Sequence, residues 1–329
     1  MIHISEAEIR EHVPFTAVIE AVAGSFATLD AGGSDVFETV RARGAQPDHF
    51  FAIKSARDGS SGLLGLKAGS YCPARRNAGK DPHTSTTLLL DAHSGDPLAL
   101  VEANHLNGMR TAAADALAVR HLARPDADTL AVIGCGAQAL YEIEAISLVH
   151  PLRRVLAAGR SQERTLGFAE TLRARLDLEV ECSDAEEAVR AAGIVVTATP
   201  ATRPVLRAGW VRPGTHVSAM GADDAGKQEL EVELLAAADL YVDWPAQAVI
   251  IGESQHAFRQ GLIRLEDLEC RTLGSLVRGG APGRRDAQAI TIFDSSGLAT
   301  QDIAAAWCAL RCVAERTGRF DIPLRETVL

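Results

Sequence analysis

A chain of 329 residues favours two lobes, or one domain inserted into another. Hydrophobic residues at 47% and charged ones at 23% suit a globular protein with a real core. A formal net charge of -10 gives no general electrostatic case for nucleic acid or anionic lipid as a partner. The six cysteines (Cys72, Cys135, Cys182, Cys270, Cys308, Cys312) include no Cys-x-x-Cys pair, so no disulfide framework or zinc site is readable. No apolar stretch is long enough for a membrane span, and the amino terminus reads as strand and helix cap rather than signal peptide; the cytoplasm is the expected compartment.

Ser5-Glu-Ala-Glu-Ile-Arg10 has the pattern of a capped helix start, and Thr16 to Leu29 continues with apolar residues at helical spacing. Short β-rich runs follow from Phe37 to Val101, the clearest at Phe50–Lys54, Leu63–Lys67 and Ser85–Asp91. The turn Asp91-Ala-His-Ser-Gly-Asp-Pro97 predicts a hairpin with Leu98–Val101. Arg110 to Ala123 is alanine-rich and helical, ending before Arg124-Pro125. This first lobe is expected to be a helix-flanked, mostly antiparallel sheet.

Beyond Ala127, strands and helices alternate. Thr129-Leu-Ala-Val-Ile133 runs straight into Gly134-x-Gly136-x-x-Ala139 and a helical pattern, which is the strand, tight turn and helix start of a dinucleotide crevice. Gly134 permits the turn, Gly136 lets a pyrophosphate approach the backbone, and Ala139 allows close helix packing. Further strands are predicted at Arg154–Ala158, Leu178–Cys182, Ile194–Ala198, Thr215–Ala219, Leu240–Asp243 and Ile290–Phe293, with helices capped at Ser161 and at Ser183-Asp184 and a last one from Thr300 to Ala314. Such alternation predicts an α/β, doubly wound parallel sheet with its ligand at the carboxyl edge.

Cofactor choice turns on the end of the second of these strands. A carboxylate there would hold the ribose hydroxyls of NAD, but the chain has Gly159-Arg160-Ser161, with Arg164 a turn later. Arginine pairs with phosphate bidentately and Ser161 adds a hydroxyl, so NADP(H) is favoured; with Arg160 lying across the adenine instead, NAD(H) would serve as well. Three cations stand out in the first lobe. Lys67 is placed at the end of an apolar strand, where burial would bring its pKa into the range useful for proton transfer. Arg110 is placed at a helix start, where a carboxylate could meet both its guanidinium and the helix N-terminus; Arg41 is the third. The loop Ser218–Glu229 offers Asp223, Asp224 and Lys227 at the sheet's ligand edge. His83 is a possible substrate contact and His256 a packing or interface residue. No Gly-x-Ser-x-Gly, Walker-type loop or metal-ligand spacing is present.

Together the runs Gly65-Leu-Lys67, Gly108-Met-Arg-Thr-Ala-Ala113, Val132-Ile-Gly-Cys-Gly-Ala-Gln138, Gly221-Ala-Asp-Asp-Ala-Gly-Lys227 and Thr291-Ile-Phe-Asp-Ser-Ser-Gly297 resemble the ornithine cyclodeaminase/μ-crystallin family over nearly the whole chain. The resemblance implies a homodimer, with residues 1–122 plus 302–329 as an α+β substrate-binding and dimerisation domain and residues 123–301 as an inserted Rossmann-type domain. It implies Lys67 and Asp223 as catalytic groups, Arg41 and Arg110 as carboxylate binders, and Lys227 as the neighbour of Asp223. Cofactor contacts are implied at Thr111, Gly134, Gly136, Ala137, Gln138, Arg160, Ser161, Thr199, Met220, Lys227 and Ser295. Cyclodeaminases carry an acidic residue after the second strand, which this chain lacks. Runs such as Lys67-Ala-Gly-Ser-Tyr71 and Ile251-Gly-Glu-Ser-Gln-His-Ala257 are most similar to the iminosuccinate reductase branch, which uses NADH, so branch and Arg160 point to different dinucleotides. The expected activity is NAD(P)H-dependent reduction of a small, carboxylate-bearing α-imino acid, or the reverse amino-acid dehydrogenation. The rivals are an ornithine- or lysine-type cyclodeaminase that recycles its cofactor and a non-catalytic, crystallin-like ligand-binding protein.

Overall fold

Ser5 closes a reciprocal cap with Glu8, its hydroxyl taking the Glu8 N–H while the Glu8 carboxylate takes the Ser5 N–H, and this fixes where the first helix begins. The computed structural model describes residues 1–46 and 48–320. In chain order the first elements are β1 (Ile2–Ile4), α1 (Glu6–His12), α2 (Phe15–Asp30), β2 (Asp35–Val36), β3 (Val40–Arg43), β4 (Phe50–Asp58), β5 (Leu63–Tyr71), β6 (His83–Asp91), β7 (Pro97–Glu102) and α3 (Asn104–Leu122). The strands form one sheet in the order β1-β7-β6-β5-β4-β2, with β3 also on β4. Only the β1–β7 pairing is parallel, so the expected mostly antiparallel sheet and its β6–β7 hairpin are present.

The second series is β8 (Thr129–Ile133), α4 (Ala137–Ser147), β9 (Arg154–Ala158), α5 (Gln162–Arg175), β10 (Glu179–Cys182), α6 (Ala185–Ala191), β11 (Ile194–Thr197), β12 (Thr202–Leu206), β13 (His216–Ala219), β14 (Gln228–Leu230), α7 (Val232–Ala237), β15 (Asp239–Val242), α8 (Pro245–Ile251), α9 (Gln255–Arg259), α10 (Leu265–Glu269), α11 (Leu273–Val277) and β16 (Thr291–Asp294). Its sheet runs β10-β9-β8-β11-β13-β16-β15, parallel throughout. Strands in such a sheet are covered on both faces, and β11, β13, β15 and β16 are buried end to end. Chain order reverses at β8, between β9 and β11. That is the switch point of a doubly wound sheet. A separate parallel pair, β12 and β14, went unpredicted because Thr202-Arg-Pro204 reads as a loop.

The chain ends in α12 (Ala299–Thr317), which packs on α2 and across β4, β5 and β6. Contacts divide the chain into two compact units, Met1–Arg110 with the segment from Leu298, and Thr111–Gly297. The first division falls within α3, twelve residues before the boundary expected at 122/123, and the second just before the boundary expected at 301/302.

Candidate active site

Two of the three cations expected in the first unit are brought together. Lys67 lies in the middle of β5 and not at its end, because the ladder with β4 and β6 continues to Tyr71. Arg110 sits inside α3 and not at its start, since that helix begins at Asn104, so a carboxylate on its guanidinium would not also meet the N-terminus of α3. What joins them is Asp302, in the first turn of α12. Lys67 Nζ donates to Asp302 Oδ1 at 3.0 Å and to Asn107 Oδ1 at 2.8 Å. Arg110 Nε stands 2.8 Å from the same Asp302 oxygen, an ion pair at an angle that makes no formal hydrogen bond. The other two guanidinium nitrogens donate to Gln301 Oε1 and Asn107 Oδ1, each at 3.0 Å.

Exposure of Lys67, Arg110 and Asp302 is 8%, 6% and 4%, so this charge cluster is largely dry. Burial, then the Arg110 guanidinium and Lys54, press the Lys67 pKa down to about 7 against the opposing pull of Asp302. Burial works to raise the Asp302 pKa, but Arg110 and Lys67 together hold it below the usual range. Asp302 Oδ2, Gln301 Nε2, Thr300 Oγ1, Thr87 Oγ1 and Ser85 Oγ are buried without hydrogen-bond partners. Buried polar atoms are rarely left in that condition, and a bound polar molecule or water would satisfy them. Two cations also face one carboxylate, which leaves positive charge for a bound acid.

The strand pleat carries this face further. Lys67 pairs with Lys54 and Thr87, and the next row holds Ala52, Gly69 and Ser85, with Arg41 on β3 opposite Ala52. Arg41 lies 5.9 Å from the Phe50 ring centroid. His83 is exposed and opposite Tyr71, with ring centroids 4.6 Å apart, two rows from Lys67. Arg41 and His83 thus share the face with Lys67 but stand outside the Lys67–Asp302–Arg110 cluster.

In the second unit, most of the residues expected to meet a dinucleotide lie at one edge of the sheet. Gly134 has a φ of 108°, and a β-carbon there would fall 2.5 Å from the Ala198 carbonyl oxygen. Gly136 is the N-cap of α4 without a side-chain cap, and a β-carbon on it would meet nothing within 4 Å. A strained turn followed by an open glycine and uncapped helix amides, at Ala137 and Gln138, fits a dinucleotide pyrophosphate. Ala139 is fully buried, as close packing requires. Gln138 Nε2 donates to Glu142 at 2.7 Å. Arg160 is exposed after β9, and Ser161 caps α5 through the Arg164 N–H. Thr199 follows β11, Met220 follows β13 and Ser295 follows β16, so these residues share the carboxyl edge with the glycine turn. Thr111 lies within α3.

Asp223 and Lys227 form an ion pair on the loop between β13 and β14, and Lys227 Nζ also reaches the Gly221 carbonyl at 3.3 Å. Asp223 is exposed, unlike Lys67. His256 Nε2 lies 3.1 Å from the Lys227 carbonyl oxygen. Among the described residues no three His, Cys, Asp or Glu side chains are arranged for a metal ion, and no single helix is long and apolar enough to cross a membrane.

Sequence reading missed Asp302, Gln301 and Asn107. The signal available was Thr300-Gln-Asp302, three polar residues opening a helix whose first eight positions are all buried. It also missed Glu229, whose partners are described below.

An open glycine turn at the switch point of a doubly wound sheet, with a separate unit carrying a buried carboxylate–lysine–arginine cluster, defines a two-unit α/β protein of the dinucleotide-binding type. The chain belongs to the ornithine cyclodeaminase/mu-crystallin family, whose profile matches residues 2–317. It is 37% identical over 306 residues to the iminosuccinate reductase of Paracoccus denitrificans (strain Pd 1222), covering 93% of this chain and 94% of that one. The crystal structure of that Paracoccus denitrificans reductase with NAD+ matches with a TM-score of 0.89 at 34% identity, covering 97% of both chains. The Thermococcus litoralis Δ(1)-pyrroline-2-carboxylate reductase, solved with NADH and L-proline, matches with a TM-score of 0.91 at 28% identity, over 96% of this chain and 98% of that one. An archaeal alanine dehydrogenase dimer with bound NAD gives a TM-score of 0.90 at 31% identity, over 99% of each chain.

Proposed function

We propose that this protein is an NAD(P)H-dependent reductase of a small α-imino acid, working in reverse as an amino-acid dehydrogenase. The observation that carries the reading is the buried Lys67–Asp302–Arg110 cluster, with charge to spare for a substrate carboxylate and a lysine that titrates near neutrality. The relatives named above act on iminosuccinate, on pyrroline-2-carboxylate and on alanine, all α-amino or α-imino acids. The first unit binds the acid substrate and the second the dinucleotide.

Arg110 receives the substrate carboxylate, exchanging part of its pairing with Asp302 for the ligand's. Bidentate guanidinium–carboxylate pairing fixes the plane of the acid and with it the position of the adjacent imine carbon. A dinucleotide held at the glycine turn would supply the hydride for that carbon, with the C=N π electrons going to nitrogen. Lys67 Nζ delivers the proton that nitrogen then takes, a role its pKa of about 7 suits at neutral pH. Asp223 is the second candidate for this proton, with Lys227 holding its charge. Arg41 and Lys54 extend the positive face for substrates with a second carboxylate, the iminosuccinate type. Arg160 favours NADP(H) over NAD(H), and the protein works as a homodimer; the archaeal alanine dehydrogenase is a dimer.

The test is a screen of keto acids with ammonia or methylamine, oxaloacetate-derived imine and cyclic imines, each with NADH and NADPH. The expected result is dinucleotide oxidation that requires the imine. Lys67→Ala should lower turnover by about a hundredfold or more, the usual scale of a lost acid–base group, while dinucleotide still binds. Ammonia release from ornithine or lysine at catalytic dinucleotide levels would instead make the protein a cyclodeaminase.

A further inference from the structure

The segments that follow β11 and β13 are joined through one buried carboxylate. Glu229, on β14, has no exposed surface, and both its oxygens are occupied. Oε1 accepts the backbone N–H of Thr199 and the Thr199 hydroxyl, each at 2.7 Å. Oε2 accepts the backbone N–H of Gly221 and the Thr197 hydroxyl, each at 2.8 Å. A β-carbon on Gly221 would fall 2.2 Å from the Thr199 carbonyl oxygen and 2.6 Å from the Glu229 carboxylate, so the two loops touch where no side chain fits.

Glu229 is itself pinned from behind. Its N–H and that of Leu230 donate to the Glu253 carboxylate at distances from 2.7 to 3.0 Å. The N–H groups of Glu253 and Ser254 donate in turn to Asp294, at the end of β16, at 2.9 and 2.8 Å. Three carboxylates therefore tie together the segments bearing Thr199, Met220 and Ser295.

The clamp requires a carboxylate. A threonine hydroxyl can turn and accept, but a backbone N–H cannot. Each Glu229 oxygen faces a backbone N–H, so a glutamine amide in either orientation would set its NH2 group against Thr199 or Gly221. Burial raises the Glu229 pKa, and the four donors oppose that rise by stabilising the charged form.

Building on the dinucleotide reading of this sheet edge, we propose that Glu229 is a positioning residue for the dinucleotide. Its carboxylate clamps the loops after β11 and β13 in the geometry that receives the ligand. The clamp pre-organises backbone that would otherwise be ordered at the expense of binding.

The test measures NADH and NADPH binding by fluorescence titration, with steady-state kinetics and thermal midpoints, for the unchanged protein, Glu229→Gln and Thr197→Val. Glu229→Gln should raise the dinucleotide Kd and KM by roughly tenfold or more, the scale of losing a hydrogen bond to a charged group. Its kcat at saturating dinucleotide and its KM for the imino acid should change by less than about threefold, because the first unit is untouched. Thr197→Val removes one donor from a residue with no exposed surface and should weaken dinucleotide binding by about threefold. Dinucleotide affinity within twofold in a folded Glu229→Gln, or a fall in kcat with both KM values rising together, overturns the clamp. If Glu229→Gln does not fold, unchanged affinity in Thr197→Val overturns it. An unchanged protein that binds neither dinucleotide sinks the underlying reading instead.

Discussion

Replacing Asp302 with asparagine keeps the side chain's shape and removes the carboxylate between Lys67 and Arg110. At 3.0 Å and an effective dielectric of about 20, a unit charge acts on the Lys67 ammonium with about 5 kcal/mol. One pH unit of basicity corresponds to about 1.4 kcal/mol. The asparagine carbonyl and Asn107, 2.8 Å away, still accept from Nζ, so only part of that energy is lost. We expect the Lys67 pKa to fall from about 7 by at least one pH unit. The direction follows from the balance at the site: Asp302 opposes burial, Arg110 and Lys54, which then act unopposed. If Lys67 gives a proton to the imine nitrogen, activity is present below its pKa and is lost as pH rises through it. The descending limb of kcat/KM for imine reduction should therefore move to lower pH by at least about one unit in Asp302→Asn. The assay is a pH series from about pH 5 to about pH 9 at saturating dinucleotide, with both proteins checked for folding at each pH. A limb that stays in place in a folded variant would refute Lys67 as the proton donor controlled by Asp302.

The same lysine makes stability depend on pH. Its pKa is about 7 in the folded chain against an ordinary 10.5, so between those values the unfolded chain holds a proton that the folded one lacks, and stability rises with pH in that window. Lys67→Met should abolish this slope, losing ground to the unchanged protein by about 1.4 kcal/mol per pH unit from about pH 7 to pH 9 in urea titrations; a constant difference would contradict it. Gly134→Ala must place a methyl 2.5 Å from the Ala198 oxygen at positive φ and should destabilise by at least about 2 kcal/mol. Gly136→Val, with open space before it, should stay within about 1 kcal/mol in stability yet weaken dinucleotide binding more than tenfold; the reverse pattern would overturn the turn's assignment. Arg160→Glu should lower kcat/KM for NADPH by about tenfold or more and spare NADH, the loss expected for a phosphate-pairing arginine; an unchanged ratio would show that Arg160 does not read the phosphate.

Much of the second unit was legible because β8 and β11 are short, largely apolar runs and the first helices open on Gly136, Ser161 and Asp184, signals local in the chain. The start of α3 was misread because Asn104-His-Leu-Asn-Gly108 has poor intrinsic helix propensity. Packing decides there: Ala103, Leu106 and Met109 are buried, and the helix forms through the glycine. Asp302 was hidden for a different reason. Its partners lie 192 and 235 residues earlier in the chain, and no local pattern reports a pairing across that separation. Glu229 sits in Lys227-Gln-Glu-Leu230, which reads as a polar loop, and only the fold shows that its side chain is the buried one. Lys67 was found because a charge inside an apolar strand is costly without a use, and that argument needs no partner to be named.

In the proposed reaction, hydride reaches the imine carbon of an α-imino acid. The direct measurement is reduction with NADPH or NADH deuterated at the transferable position, followed by mass spectrometry of the amino-acid product. One deuterium at the α-carbon, with the same labelled product formed about a hundredfold or more slowly by Lys67→Ala, is the expected result. Amino acid formed without label, or ammonia released from a diamino acid while the deuterated dinucleotide is returned, would contradict it.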